Sequence, residues 1–189
     1  VMDCSERIDF FLELMSCSQN ISYWCVDVKE RRISRTTSLY DGDRSFIRLT
    51  FGDEKRFEAL RAFGETNRNP VISHNAVDLA WATVFEYEDN AVSKLHILGP
   101  LYTSEISPVV IEKELDRHYM SQRFRRRAIA LLAGQPVLSA TRFWPYVQML
   151  HFAVNSEKVG IDAFRFEDFN APKAKKRSVI PEEPETPNP

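Results

Sequence analysis

The sequence predicts one α+β domain: a central antiparallel sheet flanked by helices, with a C-terminal helical segment. Three observations lead there. Leu79, Trp81, Thr83, Phe85 and Tyr87 alternate with Ala80, Ala82, Val84 and Glu86, a period of two with one bulky and one mostly small face. The polar turn Glu88-Asp89-Asn90 joins that run to an apolar one, Val92 to Leu98, which is the pattern of an antiparallel hairpin. Helical periodicity with start and stop signals opens the chain and dominates its second half.

The elements follow in order. Asp3 caps a first helix, with Glu6 at the reciprocal capping position. Ile8, Phe11, Leu12 and Met15 recur at helical spacing, and Phe10 and Leu14 widen that stripe. Residues Ile21 to Val28 are rich in β-branched and aromatic side chains and read as a strand. A charged turn at Lys29 to Arg32 leads to a second strand, Ile33 to Thr37. A turn at Tyr40 to Asp43 precedes a short strand, Phe46 to Phe51. Phe57, Leu60, Ala62 and Phe63 mark a helix over about Glu54 to Asn67, ended by Asn69-Pro70. Val71 to Ser73 is a short strand before the hairpin, and Gly99-Pro100 closes the last strand.

Ser107-Pro108 starts a helix whose Val110, Ile111, Leu115 and Tyr119 face inward. A second runs from about Ser121 to Ala133, with Gly134 as its C-cap and Pro136 beyond. A third begins near Thr141 and turns Trp144, Val147, Leu150, His151 and Val154 inward, with Pro145 expected in its first turn. Ala171 to Pro189 holds five prolines, four basic residues, three glutamates and no aromatic residue, so it reads as a disordered linker or tail. The expected boundaries are a sensor domain over 1–168 and the tail over 169–189.

Composition bounds the function. With 189 residues, 43% apolar and 28% charged, the chain can bury a full core. A formal net charge of −2 gives no bulk attraction to nucleic acid or to anionic lipid. No apolar run approaches the roughly 20 residues that span a bilayer, and the first residues lack the pattern of a signal peptide. Three cysteines without a CxxC pair, Cys4, Cys17 and Cys25, point away from a disulfide framework or a zinc site. A cytoplasmic location is the expectation.

No catalytic motif occurs: neither a phosphate-binding glycine loop nor a nucleophile elbow nor a zinc-protease helix. The candidates are therefore ligand contacts: Trp24, His74, Trp81, Phe85 and His96, with no catalytic residue, metal or cofactor expected. Tyr23, Trp24, Trp81, Phe85 and Tyr87 can share a pocket, in which Trp81 and Tyr87 anchor a ligand by stacking and offer polar handles, although each also reads as ordinary core. His74 follows a strand at a loop mouth. His96 sits in an apolar strand, where a histidine satisfied by one hydrogen bond is the plainer reading. Cys25 beside Trp24 reads as an inert buried thiol. The run Arg123, Arg125, Arg126, Arg127 can bind phosphate, but reads better as a solvated face paired with Glu112, Glu114 and Asp116.

The strand Leu79 to Tyr87, the run Leu95-His96-Ile97-Leu98-Gly99-Pro100-Leu101, the segment Leu131 to Val137 and the segment Met149 to Val154 together resemble the N-terminal sensory region of bacterial AraC-type transcriptional regulators. That likeness covers about residues 3 to 166 and implies a GAF/PAS-like domain sensing an unknown small-molecule effector. It also implies a helix-turn-helix domain after the sensor; no such segment follows Phe169, so DNA would be met only through a part absent from this chain. The alternative is a dimerisation or protein-docking module without a small-molecule ligand, its interface on the Trp144 to Val154 helix. An enzyme on the same scaffold would need a convergent set such as Cys25 beside a histidine.

Overall fold

A computed structural model describes residues 2–37, 54–117 and 120–167. The turn expected at Tyr40 to Asp43, the strand at Phe46 to Phe51, Tyr119 and the tail lie outside the described residues. The fold is α+β. Six strands form one sheet in the order β2-β1-β5-β4-β3-β6: β1 (Tyr23–Asp27), β2 (Arg32–Thr36), β3 (Val71–His74), β4 (Leu79–Glu88), β5 (Ala91–Tyr102) and β6 (Arg165–Glu167). All neighbours are antiparallel except β3 and β6. Among the described residues five α-helices cover the sheet: α1 (Cys4–Ser18), α2 (Glu54–Thr66), α3 (Pro108–Leu115), α4 (Gln122–Ala133) and α5 (Ala140–Asn155). None of the described helices is long and apolar enough to cross a membrane.

The alternation on β4 decides which helices go where. Its small face, Ala82 and Val84, belongs to a core with Ile8, Phe11, Leu12 and Met15 of α1 and Phe143, Val147 and Leu150 of α5. Short side chains let these helices lie close to the strand. The bulky face, Leu79, Trp81 and Phe85, meets Leu60 of α2, Ile111 and Leu115 of α3, and Ala128 and Leu132 of α4. Both faces of the sheet are thus buried, which is why β4 and the second half of β5 read as nearly continuous burial.

The capping devices form where the sequence places them. Asp3 and Glu6 make a reciprocal capping box, the Asp3 side chain accepting from the Glu6 amide at 2.9 Å and Glu6 from the Asp3 amide at 2.9 Å. Ser107 and Ser121 cap α3 and α4.

Four local expectations are corrected. Gly99-Pro100 does not end β5, which runs on to Tyr102 through a cis bond. Gly99 has φ +118 beside a register shift between Ala80 and Ala82, and a Cβ there would lie 2.8 Å from the Ala80 carbonyl oxygen. The glycine is a bulge that lets two strands pass closely, not a stop. Pro145 is the sixth residue of α5 and so lies in its second turn, not its first. Phe10, Leu14 and Val110 point outward. Finally, β6 has no counterpart in the sequence reading; three residues, pairing parallel to β3, are too few to show a period.

Gly64 of α2 lies against the Phe85 ring, where an added Cβ would meet Cδ1 at 2.5 Å. Gly64→Ala is expected to lower the unfolding free energy by about 1–3 kcal/mol, the cost of overpacking a filled core, measured by denaturant titration.

Candidate functional site

The sheet separates the five predicted contact residues. Trp24, Trp81 and Phe85 are buried in the core beneath α2, α3 and α4. Trp24 is fixed by its indole N–H, which donates to the Gly99 carbonyl at 2.7 Å. Tyr87 packs at the edge of the same core, donates to the Gly64 carbonyl at 2.6 Å and carries the Arg68 guanidinium over its ring. His96 lies on the opposite face, toward α1 and α5, as does Tyr23. His74, half-buried, ends β3 on the Ile72 side. One pocket cannot take all five.

On the α1/α5 face His96 joins a polar chain across three strands. The Tyr23 hydroxyl and His96 Nδ1 are 2.8 Å apart, His96 Nε2 and Glu86 Oε2 2.7 Å, and Lys94 Nζ donates to Glu86 Oε1 at 2.7 Å. Cys25 stands directly across from His96 in the β1–β5 register. His96 and Tyr23 are almost fully buried, while the Glu86 side chain keeps 22% exposure and Lys94 39%. The chain therefore runs from the core to the surface.

The electrostatics follow from that geometry. The His96 hydrogen bond holds the Glu86 carboxyl down at about 2, against the opposing effect of burial and with help from Lys94. Burial pushes the His96 imidazole down, but Cys25 and Glu86 outweigh it and the net direction is up. Burial likewise pushes the Cys25 thiol up, and His96, Ser34 and Lys94 turn it down. Thiol, imidazole and carboxylate thus stand in the order that nucleophilic catalysis uses. Two facts work against that use: Tyr23 already occupies Nδ1, and the thiol has 5% exposure. The arrangement ties β1, β5 and β4 together beneath the helices.

Sequence reasoning singled out His96 and Cys25 but missed Glu86 and Lys94. The available signal was the hairpin register, which sets Glu86 opposite Lys94 and Val84 opposite His96.

Among the described residues an apolar surface groove lies on the outer side of α1 and α5. The two helices run antiparallel. Near the start of α1, Cys4 Sγ donates to the Val154 carbonyl (3.5 Å) and Arg7 Nε to the Ala153 carbonyl (2.8 Å); near its end the Ser18 hydroxyl meets the Tyr146 hydroxyl at 2.9 Å. Between them opens a groove of about 650 Å³, walled by Phe10, Phe11 and Leu14 on one side and Pro145, Met149 and Phe152 on the other. Met2 is 46% exposed, Phe10 54%, Leu14 43%, Met149 40% and Phe152 46%. Arg7, Gln148 and Lys158 supply its polar groups. A smaller, more polar cavity of about 380 Å³ lies at the end of α1, among Ser16, Cys17, Ser18, Gln19 and Asn20. Among the described residues no three His, Cys, Asp or Glu side chains gather to hold a metal ion.

The basic run divides. Arg125 pairs with Asp116 and Arg117 with Glu114, while Arg123 and Arg126 are exposed.

The polar chain predicts two opposite pH dependences. Glu86, depressed in the folded state, contributes stability that is complete above its ordinary carboxylate range and is lost as pH falls from about 4.5 toward about 2. His96, raised in the folded state, contributes stability that is complete below its ordinary imidazole range and is lost as pH rises through the elevated folded value. Chemical denaturation across pH should show Glu86→Gln losing the acid-side slope, on the order of 2 kcal/mol, and His96→Gln losing the neutral-side slope.

No protein-family model matches this sequence, and neither a curated protein nor a solved structure is significantly similar to it.

Proposed function

We propose that this chain is the regulatory module of a larger protein, of the AraC-type sensory kind that its sequence resembles, and that it acts by protein contact through the outer face of α1 and α5. One observation carries this reading: five large apolar side chains, each 40–54% exposed, surround a single groove. Apolar surface gathered in this way marks interaction sites on folded domains. DNA binding belongs to a separate helix-turn-helix domain in this reading, and a cytoplasmic location goes with it.

A photo-crosslinking residue placed at position 149 of the whole chain, in the cells that express it, should give a discrete adduct. The same residue at 137, an exposed position that does not line the groove, should not, and Phe152→Glu should abolish the adduct at 149. No adduct at 149, or an equal one at 137, defeats the reading.

Small-molecule sensing is the second reading, favoured by a specific observation. Among the described residues, Thr83 Oγ1 and the Tyr102 hydroxyl are buried without a hydrogen-bond partner, on the same sheet face as Trp81 and Phe85. Buried polar atoms of this kind are where a polar ligand would gain most. Thr83→Val discriminates. Without a ligand, removing an unpaired hydroxyl should stabilise the domain by about 1 kcal/mol; with a metabolite that raises the wild-type melting temperature, the variant should lose that shift.

A further inference from the structure

We propose that Cys25 is a redox modification site: a thiolate held beside His96 in the sheet, which a hydroperoxide oxidises to the sulfenic acid. The proposal stands apart from the docking reading and uses the polar chain, which that reading leaves idle.

Three observations support it. The first is the company the thiol keeps. Beside Trp24 in sequence, Cys25 reads as inert. In the sheet it stands across from His96 in the β1–β5 ladder, within hydrogen-bonding reach of the imidazole and of Ser34 on β2.

The second is charge. From the core outward the groups are Cys25, His96, Glu86 and Lys94. Moving the thiol proton to the ring makes them thiolate, imidazolium, carboxylate and ammonium, each charge next to an opposite one. Buried charges persist when they are paired in this way. Burial pushes the Cys25 thiol up, and His96, Ser34 and Lys94 more than offset it.

The third is access. Glu86 and Lys94 carry the chain to the surface, with 22% and 39% of their side chains exposed. Hydrogen peroxide is little larger than water and bonds as water does, so a row of polar groups is a route inward for it. The burial that denies Cys25 a substrate cavity rules out turnover of a larger molecule, not one reaction with so small an oxidant.

The step balances. The Cys25 thiolate attacks one peroxide oxygen, and the S–O bond forms as the O–O bond breaks. Sulfur loses two electrons and the peroxide gains them. The departing hydroxide takes the proton that His96 holds and leaves as water. The ring is then neutral, and Cys25 is a sulfenic acid. Its added oxygen lies in the core that Cys25 shares with Ile8, Phe11 and Leu12 of α1, and overpacks it. The modification therefore bears on the helix that forms one wall of the groove.

The other two cysteines make the test internal. Cys17 is exposed, and Cys4 is half-buried with its thiol pushed up by burial. By exposure alone Cys17 would react first and Cys25 last. The whole chain is treated with hydrogen peroxide at neutral pH, the sulfenic acid is trapped with dimedone, and each cysteine is read by peptide mass spectrometry. Cys25 should label on the order of tenfold faster than Cys17, the gain from full thiolate formation less the nucleophilicity lost with basicity. In concentrated urea the difference should vanish. His96→Gln, which keeps a hydrogen-bonding side chain but carries no exchangeable charge, should bring Cys25 to the rate of Cys17 or below. Peroxide should lower the melting temperature of the wild type by several degrees and leave that of Cys25→Ser unchanged. Cys25 labelling no faster than Cys17 in the folded chain overturns the proposal, as does an advantage that persists in urea or that folded His96→Gln retains. If His96→Gln does not fold, the folded and urea-unfolded wild type decide between them. A melting temperature that Cys25 oxidation leaves unchanged overturns the link to α1.

Discussion

Burying β4 and β5 on both faces is the constraint from which most of the structure follows. A strand covered on two sides cannot spend every second residue on water, so its two faces must differ in some other way. Here they differ in size. Ala82 and Val84 leave room for α1 and α5 to approach, while Trp81 and Phe85 reach out to fill the wider gap under α2, α3 and α4. Gly64 sits where Phe85 leaves no space for a Cβ, and Gly99 sits where two strands pass at their closest. Gly64 answers a large ring on β4, and Gly99 answers the β4 backbone itself.

The polar chain is the exception that this constraint permits. An imidazole taken into a sheet covered on both faces needs partners at both ring nitrogens. Tyr23 and Glu86 supply them from the strands on either side of β5, and Lys94 balances the carboxylate nearer the surface. The cost of burying His96 thereby becomes a cross-strand tie. It also fixes the register: a slip of one residue would turn Glu86 to the other face and leave the ring without its partner.

Much of this was legible in the sequence, because it depends on local periodicity. The hairpin, the capping box of α1, the serine caps of α3 and α4 and the α+β class all express short-range rules. What was not legible depends on what lies across the sheet. The alternation of β4 defines two faces but not which face a residue on another strand shares, so Trp24 and His96 could be grouped by proximity in thought and still be separated by the sheet. Phe10 and Leu14 read as a wider core stripe because helical spacing marks them as apolar without saying that Ile8, Phe11, Leu12 and Met15 already fill the space beneath. The strand β6 is three residues long and owes its existence to an open edge on β3.

The outer face of α5 shows how such ambiguity can still be read. A helix covering one sheet needs an apolar stripe along one side, and Phe143, Val147, Leu150 and Val154 provide it. Pro145, Met149 and Phe152 lie on the other side and add nothing to that core. A helix apolar nearly all round is buried nearly all round in its working state. α1 repeats the pattern with Phe10 and Leu14, on the side that faces the same groove. Two adjacent helices with surplus apolar positions aimed at one place are the feature on which the proposed docking reading rests. The sheet covers one side of the layer they form, and its other side keeps Phe10, Leu14, Met149 and Phe152 exposed.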